Sequence, residues 1–288
     1  MTNCSTAVLL IDAGNTRIKF AHYDALSRSA DNQGLGCDAK VNKFILTHDE
    51  LGDLAAQLAV FQNKPKLVIG VNVAGPAVQA KIMEQIDLHC GAANYDYHWL
   101  TSQPQLLHLK NSYVDHRQLG SDRWLAVLGV SVHKYAAKRP VMLISFGTAT
   151  TVDTVFENTF LGGLIFPGLQ LMADSVAQRT AQLPAIKWEK STLPVKFPSS
   201  TAEALESGMI GAQAAAVLRQ WSLVIERCQQ QPVVFYAGGA ADYVVPELSR
   251  LLTEQAKLHG FDTIDLFPFD DPALAGLLVY AQHCLEQK

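Results

Sequence analysis

The sequence has no basic run longer than Lys138-Arg139, and its 27 acidic residues outnumber its 23 basic residues, which leaves a net charge of −4. Proteins that hold nucleic acid by neutralising its phosphates usually carry a basic excess or a basic stripe. We therefore expect no nucleic-acid partner.

The signature motifs of several enzyme classes are also missing. The five cysteines are scattered without a Cys-x-x-Cys, and no His-Glu-x-x-His occurs, which removes the usual zinc spacings. The phosphate-loop pattern Gly-x-x-x-x-Gly-Lys-Ser/Thr is absent, so a P-loop kinase is excluded. Gly34-Leu35-Gly36 lacks the third glycine of a dinucleotide-binding turn.

Long hydrophobic runs are missing as well. The longest apolar stretches, near Gly208–Leu218 and Pro272–Ala281, fall well short of the roughly 20 residues that a membrane-spanning helix needs. The segment Met1–Thr6 lacks the basic residues of a signal peptide. We expect no membrane partner, a reduced compartment and a cytoplasmic location.

What the sequence does contain is a 288-residue alternation of strand-like and helix-like segments, 49% hydrophobic. This pattern is typical of mixed sheets covered by helices. Strands are predicted at Val8–Ile11, Arg17–Phe20, Lys66–Val73, Tyr97–Leu100, Val141–Ser145, Thr150–Phe156 and Val233–Ala237, and helices at Asp49–Gln62, Pro76–His89, Ser121–Ala137, Ser200–Gln220 and from Pro272 onward. The polar, aperiodic stretch Thr101–Leu119 predicts a boundary between a domain of residues 1–117 and one of residues 118–288.

Each predicted domain opens with a similar motif. Val8–Thr16 and Val141–Ala149 share a buried strand, a polar position, a glycine and a threonine, about 133 residues apart. This spacing lies far outside the periods of short-repeat proteins. The sequence therefore predicts two related halves, each beginning with a strand, a turn and a second strand.

The turn that follows the first strand carries groups that suit phosphate binding. In Asp12-Ala-Gly14-Asn-Thr16, the glycine lets backbone N–H groups approach an anion, and the carboxylate can hold Mg²⁺, usually through water. Gly147-Thr-Ala-Thr-Thr151 offers a second candidate phosphate turn. The alternatives are an ordinary Gly-Asn hairpin for the first turn and a threonine-rich strand for the second. Because both turns occur in similar halves, a nucleotide bound between the two halves is favoured.

Taken together, these motifs resemble those of the type III pantothenate kinases, also called the Bvg accessory factor family, within the acetate and sugar kinase/Hsp70/actin superfamily. The resemblance rests on five stretches: Asp12–Thr16, Tyr113 ahead of Gly120-Ser-Asp-Arg123, Gly147–Thr151, Gly162–Gly168, and Thr201 leading to Ser207-Gly208. It implies two duplicated actin-like, ribonuclease H-like domains with the active site in a cleft between them. It also implies ATP-dependent phosphorylation of pantothenate, the first step of coenzyme A synthesis.

The resemblance further implies roles for individual residues. Asp122 is the expected proton acceptor; the start of a helix suits it, because backbone donors and the helix dipole keep a carboxylate ionised. ATP is expected to contact Asp12, Ala13, Gly14, Asn15, Thr16, Arg17, Ile18, Lys19 and Thr148, with Mg²⁺ near Asp12. Gly238-Gly239 fits the family's adenosine-side loop, with an ordinary glycine pair at a strand end as the alternative. Pantothenate is expected to contact Tyr113, Gly120, Ser121, Asp122, Arg123 and Thr201. Plain alternatives are a helix-terminal acid for Asp122, a surface ion pair for Arg123 and a helix cap for Thr201.

The sequence departs from the family at one position. The family's second phosphate motif normally begins with an aspartate that helps to bind an activating monovalent cation, and here that position is Ser145. A hydroxyl is a poorer cation ligand than a carboxylate. We therefore expect weak or absent activation by potassium or ammonium. Asp153 is a candidate substitute, with an ordinary strand-edge acid as the favoured alternative.

The resemblance also implies a homodimer, with Ser121–Ala137 and Ser200–Gln220 as candidate surfaces and buried core as the alternative for both. Two other functions stay open from the sequence. One is another small-molecule kinase of the superfamily, and the other is a catalytically weakened nucleotide-binding regulator.

Overall fold

The computed structural model describes residues 6–26, 41–179, 186, 188 and 190–287. The chain forms two compact units, Met1–Lys134 with Asp271–Lys288, and Tyr135–Asp270. The first helix after residue 120 and the last helix of the chain therefore belong to the first unit. The domain boundary predicted at 117/118 was placed at a break in the sequence pattern, whereas the two units are defined by contacts between residues. As a domain assignment, the boundary stays a prediction.

The first unit is a five-stranded sheet with helices. Its strands are β1 (Thr6–Ala13), β2 (Ile18–Leu26), β3 (Val41–Leu46), β4 (Leu67–Asn72) and β5 (Asp96–Leu100), with a hairpin of β6 (Gln105–Leu106) and β7 (Leu109–Asn111). Its helices are α1 (Leu54–Leu58), α2 (Pro76–Cys90), α3 (Ser121–Ser131) and, from the end of the chain, α7 (Pro272–Glu286). The order is β3-β2-β1-β4-β5, in which β1, β2 and β3 are antiparallel and β1, β4 and β5 are parallel.

The second unit repeats this arrangement. It contains β8 (Val141–Phe146), β9 (Ala149–Phe156), β10 (Thr159–Pro167), α4 (Leu169–Arg179), α5 (Thr201–Cys228), β11 (Val233–Ala237), α6 (Ala241–Leu258) and β12 (Leu266–Pro268). These strands pair in the order β10-β9-β8-β11-β12, with β8, β9 and β10 antiparallel and β8, β11 and β12 parallel. The strand order and directions are those of the first unit, which agrees with the internal similarity of the sequence and confirms the predicted α/β fold.

Each unit has its own hydrophobic core. In the first, Leu9, Ile11 and Phe20 pack with residues from α1 and α2. In the second, Met142 and Ile144 pack with Trp221 and other residues of α4, α5 and α6. β1 is buried along most of its length, as expected for a strand with neighbours on both sides and apolar residues on both faces.

Helices α3 and α7 approach each other at two glycines. A methyl group at Gly129 would lie 2.6 Å from the carbonyl oxygen of Pro272, and one at Gly276 would overlap the carbonyl oxygen of Leu125. Only glycine permits backbones to pass this closely. All residues of α3 from Arg123 to Ser131 are buried, so core, and not a dimer surface, explains its apolar sequence.

Several elements differ from those predicted. The helix predicted from Ser121 ends at Ser131 instead of Ala137, and the Ser131 hydroxyl donates to the carbonyl oxygen of Leu128, a local bond that competes with helix continuation. The helix predicted over Asp49–Gln62 is a 3₁₀ helix, Asp49–Asp53, followed by the short α1. β3, β6, β7, β10, α4, α6 and β12 were not predicted. Gly34–Gly36 and much of the irregular stretch predicted at Gln182–Pro198 lie outside the described residues.

Candidate active site

The turn between β1 and β2 presents the first group of predicted site residues. Asp12 lies near the end of β1, directly opposite Lys19 on β2. The Gly14 amide donates to the carbonyl oxygen of Arg17 at 3.1 Å, which closes the turn, and the His48 ring nitrogen Nε2 lies 3.1 Å from the carbonyl oxygen of Gly14. The hairpin thus places a carboxylate and an ammonium group side by side.

The other predicted residues of this turn divide by exposure. Asn15, Thr16 and Arg17 are exposed, and Gly14 is half-buried. Ala13 and Ile18 are fully buried in the core of the unit. Any contact that these two positions make with a ligand would therefore come from the main chain.

The carboxyl group of Asp12 lies in an unusual electrostatic environment. Burial raises its pKa from 3.8 to about 6, an effect that Lys19 opposes and that Asp122 and Asp271 reinforce. Asp12, Lys19, Asp122 and Asp271 are therefore close enough to interact, although they come from β1, β2, α3 and the start of α7. Perturbed carboxyl groups of this kind are typical of functional sites.

Asp271 is a member of this group that the sequence does not reveal. Its Oδ1 accepts from Lys19 Nζ and its Oδ2 from Lys43 Nζ, both at 2.9 Å. The sequence pattern predicts Asp271 only as the residue that precedes the last helix. The lysine on β3 has no sequence signal at all, because β3 was not predicted.

Asp122 occupies the first turn of α3, as predicted. Its Oδ1 accepts from the backbone amide of Arg123 at 2.8 Å, which fixes the position of that carboxylate oxygen. A methyl group at Gly120 would lie 2.7 Å from the same oxygen, so this side-chain position requires glycine there. Ser121 is half-buried beside it.

Arg123 and Tyr113 lie in the same unit. Arg123 is only 7% exposed, so the surface ion pair considered as its alternative is wrong. A buried guanidinium is rare unless it is paired. Tyr113 is half-buried, and its backbone amide donates to Asn111 Oδ1 at 3.0 Å.

The second unit holds the glycine turn that contains Thr148. The Gly168 amide donates to the carbonyl oxygen of Thr148 at 3.0 Å, and a methyl group at Gly168 would lie 2.7 Å from that oxygen. Gly238 adopts φ +102°, and a methyl group there would lie 2.3 Å from the carbonyl oxygen of Phe146. The starts of α4 and α6 therefore pack against the β8–β9 turn, backbone to backbone.

A buried glutamine supports this turn from α5. Gln213 is fully buried, and its Nε2 donates to the carbonyl oxygen of Pro167, the residue before Gly168, at 2.7 Å. Its Oε1 has no hydrogen-bond partner among the described residues. No pattern in the sequence distinguishes Gln213 from an ordinary helix residue.

Ser145 and Asp153 lie on one face of the second sheet. Ser145 pairs with Thr151, and Asp153, two positions further along β9, pairs with Leu143. Residues in this diagonal relation are about 7–8 Å apart. Asp153 is 2% exposed on a strand with neighbours on both sides, so the prediction of a strand-edge acid is wrong.

Thr201 is the first residue of α5 and is exposed. The helix cap is Ser200, whose hydroxyl accepts from the Glu203 amide at 3.3 Å. The Glu203 carboxylate accepts in return from the Ser199 amide at 2.9 Å. Capping by Ser200 leaves the Thr201 side chain available for another role.

The residues that the structure describes contain no group of three or more His, Cys, Asp or Glu side chains arranged to hold a metal ion. Within the same ranges, no helix combines the length and the apolar character needed to cross a membrane.

Solved structures identify the fold class. A glucokinase of Parabacteroides distasonis superposes with a TM-score of 0.51 at 11% identity, covering 100% of this chain and 99% of that one. A Listeria monocytogenes protein named as an N-acetylmannosamine kinase gives 0.53 at 11% identity, covering 98% and 100%. The chain therefore has the actin-like fold that these sugar kinases share.

The sequence comparisons are more specific. Residues 8–223 match the family described as type III pantothenate kinase. The type III pantothenate kinase of Bordetella petrii is 39% identical over 275 residues, which cover 95% of this chain and 97% of that protein. This chain belongs to the type III pantothenate kinase family.

Proposed function

We propose that the protein transfers the γ-phosphoryl group of ATP to the primary hydroxyl of pantothenate, the first step of coenzyme A synthesis. Family membership supports the reaction. The observation that carries the proposal is the grouping of Asp12, Lys19 and Asp122 in one unit. At neighbouring positions, Lys19 can neutralise phosphate charge, Asp12 can hold Mg²⁺ and Asp122 can accept a proton.

ATP binding is proposed at two turns. In the first unit, the amides and side chains of Gly14–Arg17 and the Lys19 ammonium group would contact the phosphates. In the second, the backbone of the Thr148 turn would do so, held in place by Gly168. Phosphoryl transfer requires little covalent chemistry from the protein, so positioning and charge neutralisation supply most of the catalysis.

The residues at Asp12 fit Mg²⁺. Proteins commonly hold this ion by one or two carboxylates together with substrate phosphates and water, so a cluster of three protein ligands is not required. Asp12, with Asp122 close by, offers such oxygens. When bound, Mg²⁺ would neutralise phosphate charge and would favour the ionised form of Asp12.

Asp122 is proposed to orient the pantothenate hydroxyl and to accept its proton as the new O–P bond forms and the bond to the β-phosphate oxygen breaks. Its bond from the Arg123 amide fixes one carboxylate oxygen and leaves the other for the substrate. Arg123, Tyr113 and Thr201 are proposed to contact pantothenate, together with Gly120 and Ser121.

The monovalent cation is the point at which this chain should differ from its family. Ser145 offers one hydroxyl where a carboxylate is expected, so we propose that potassium and ammonium change turnover by less than about twofold. Turnover measured at constant ionic strength in potassium and in sodium salts tests this. Strong activation by potassium would contradict the proposal.

We also propose a homodimer that acts in the cytoplasm. An apolar groove between α4 and α5, lined by Leu171, Met172, Leu205 and Met209, supports an interface on the second unit. Light scattering of the purified protein tests the oligomeric state, and a monomer at micromolar concentration would contradict it.

The decisive experiment measures ATP turnover with and without pantothenate. It compares the wild type, Asp122→Asn and a control, Asp265→Asn. Asp265 is 29% exposed and pairs with Arg139 at 2.6 Å, just before β12 and β8 begin, at the end of the second sheet opposite to the Thr148 turn. We expect pantothenate-dependent turnover that falls by a factor of about 10²–10⁴ in Asp122→Asn and persists in the control. Equal turnover with sugars or acetate, or none despite ATP binding, would contradict the proposed function.

A further inference from the structure

We propose that Asp271 is a positioning residue that holds Lys19 and Lys43 together as a paired cationic contact for the nucleotide phosphates. The inference rests on the proposed function. It assigns to the site a second lysine and a carboxylate that no sequence motif contains.

The geometry is that of one carboxylate shared by two ammonium groups. Each oxygen of Asp271 accepts from a different lysine at 2.9 Å. The lysine side chains are 37% and 45% exposed, whereas that of Asp271 is 27% exposed. Because an ammonium group has three donors, each lysine retains N–H groups for an anion that arrives from solvent.

The backbone at Asp271 supports a role beyond helix capping. Aspartate is a favoured N-cap residue, yet the Asp271 side chain makes no cap bond to α7. The residue also adopts the left-handed conformation, at φ 43° and ψ 63°, which is uncommon outside glycine. A half-buried carboxylate that binds two lysines instead of capping its own helix differs from an ordinary exposed ion pair between two side chains.

Lys19 lies beside Asp12, where the proposed function places the MgATP phosphates. Lys19 faces Asp12 across the β1–β2 hairpin, and Asp12 and Asp271 interact through their charges. Burial alone would raise the pKa of Asp271, but the hydrogen bonds from Lys19 and Lys43 outweigh it and keep the pKa below its usual value. The carboxylate therefore stays ionised and able to hold both lysines at neutral pH.

The position of Asp271 is fixed relative to Asp122. Asp271 immediately precedes α7, and α7 contacts α3 at Gly129 and Gly276 with backbone touching backbone. Asp122 begins α3. The two helices thus set the distance between the proposed phosphate contact and the proposed base.

The test uses the full chain and measures MgATP binding by calorimetry without pantothenate, followed by KM for each substrate and kcat. We expect Asp271→Asn to weaken MgATP binding and to raise KM for ATP by about tenfold, because each lysine loses its orientation. KM for pantothenate should stay within about twofold. Lys43→Gln should weaken MgATP binding by about fivefold and reduce its salt dependence.

Asp265→Asn is the matched control, since its carboxylate is 29% exposed and bound to Arg139, and it should leave MgATP binding unchanged. Unchanged or tighter MgATP binding in Asp271→Asn, or an equal loss in the control, would overturn the proposal. If Asp271→Asn fails to fold, Lys43→Gln, which leaves α7 intact, decides alone by the same criterion. Because binding is measured without pantothenate, wild-type protein that binds MgATP but does not phosphorylate pantothenate would count only against the proposed function.

Discussion

Replacing Asp12 by asparagine should stabilise the protein while it removes nucleotide binding. In the folded protein the pKa of Asp12 is raised from 3.8 to about 6, mainly by burial. The folded state therefore binds the Asp12 proton more tightly than the unfolded state does. Asparagine is neutral at every pH and avoids the cost of burying the charge.

The size of the effect follows from the pKa. One pKa unit corresponds to about 1.4 kcal/mol, so a rise of about two units makes the ionised carboxylate cost up to about 3 kcal/mol of unfolding free energy. This cost is absent below the unfolded-state pKa, grows as the pH rises from near 4 to near 6, and is then constant. The value is an upper limit, because Asp12 is half-buried and water screens part of the interaction.

The assay is urea unfolding of the wild type and Asp12→Asn near pH 5 and near pH 8. We expect the variant to be more stable by up to about 3 kcal/mol near pH 8 and by about half of that near pH 5. Calorimetry should show loss of MgATP binding, so stability is gained at the expense of function. A variant that is no more stable than the wild type, or whose gain is equal at both pH values, would refute the reasoning.

Three further predictions concern backbone contacts and the cation site. In thermal melts, Gly276→Ala should lower the unfolding free energy by about 3 kcal/mol, because the new methyl group overlaps a backbone oxygen of α3. The control Gly211→Ala, on α5 with open space around it, should be neutral or slightly stabilising in the same melts. Gly168→Ala should raise KM for ATP about tenfold by displacing the Thr148 turn. An unchanged KM would show that the turn does not take part in nucleotide binding. Ser145→Asp should make turnover depend on potassium, and equal rates in potassium and sodium would show that the carboxylate alone does not create the site.

Local sequence patterns predicted much of the fold. β11 has the predicted bounds, α2 differs by one residue, and the strand–turn–strand of each half is present with longer strands. The failures have physical causes. α6 has a strongly amphipathic sequence but contains Pro246, which normally ends a helix pattern, and the edge strand β3 is too exposed on one face to show a buried run.

The site was predicted only as far as single motifs reach. Asp12, Lys19 and Asp122 each belong to a short motif, and the structure brings these three together. Asp271 lies 252 residues from Lys19 in the chain, so its role appears only when α7 is seen beside the first hairpin. Gln213 is recognisable only from the carbonyl group that it binds.

The first unit is built from two separate stretches of chain, and this affects how the protein folds while it is being synthesised. The second unit is continuous and can fold as soon as residues 135–270 have emerged from the ribosome. The first must wait for α7, because α3 has its packing partner, and Lys19 its carboxylate, only after residues 271–287 are made. Until then α3 lacks the helix surface that buries it, so a stalled or truncated chain would carry a folded second unit with an exposed apolar α3. A nascent chain arrested before Asp271 should therefore bind chaperones and have no kinase activity.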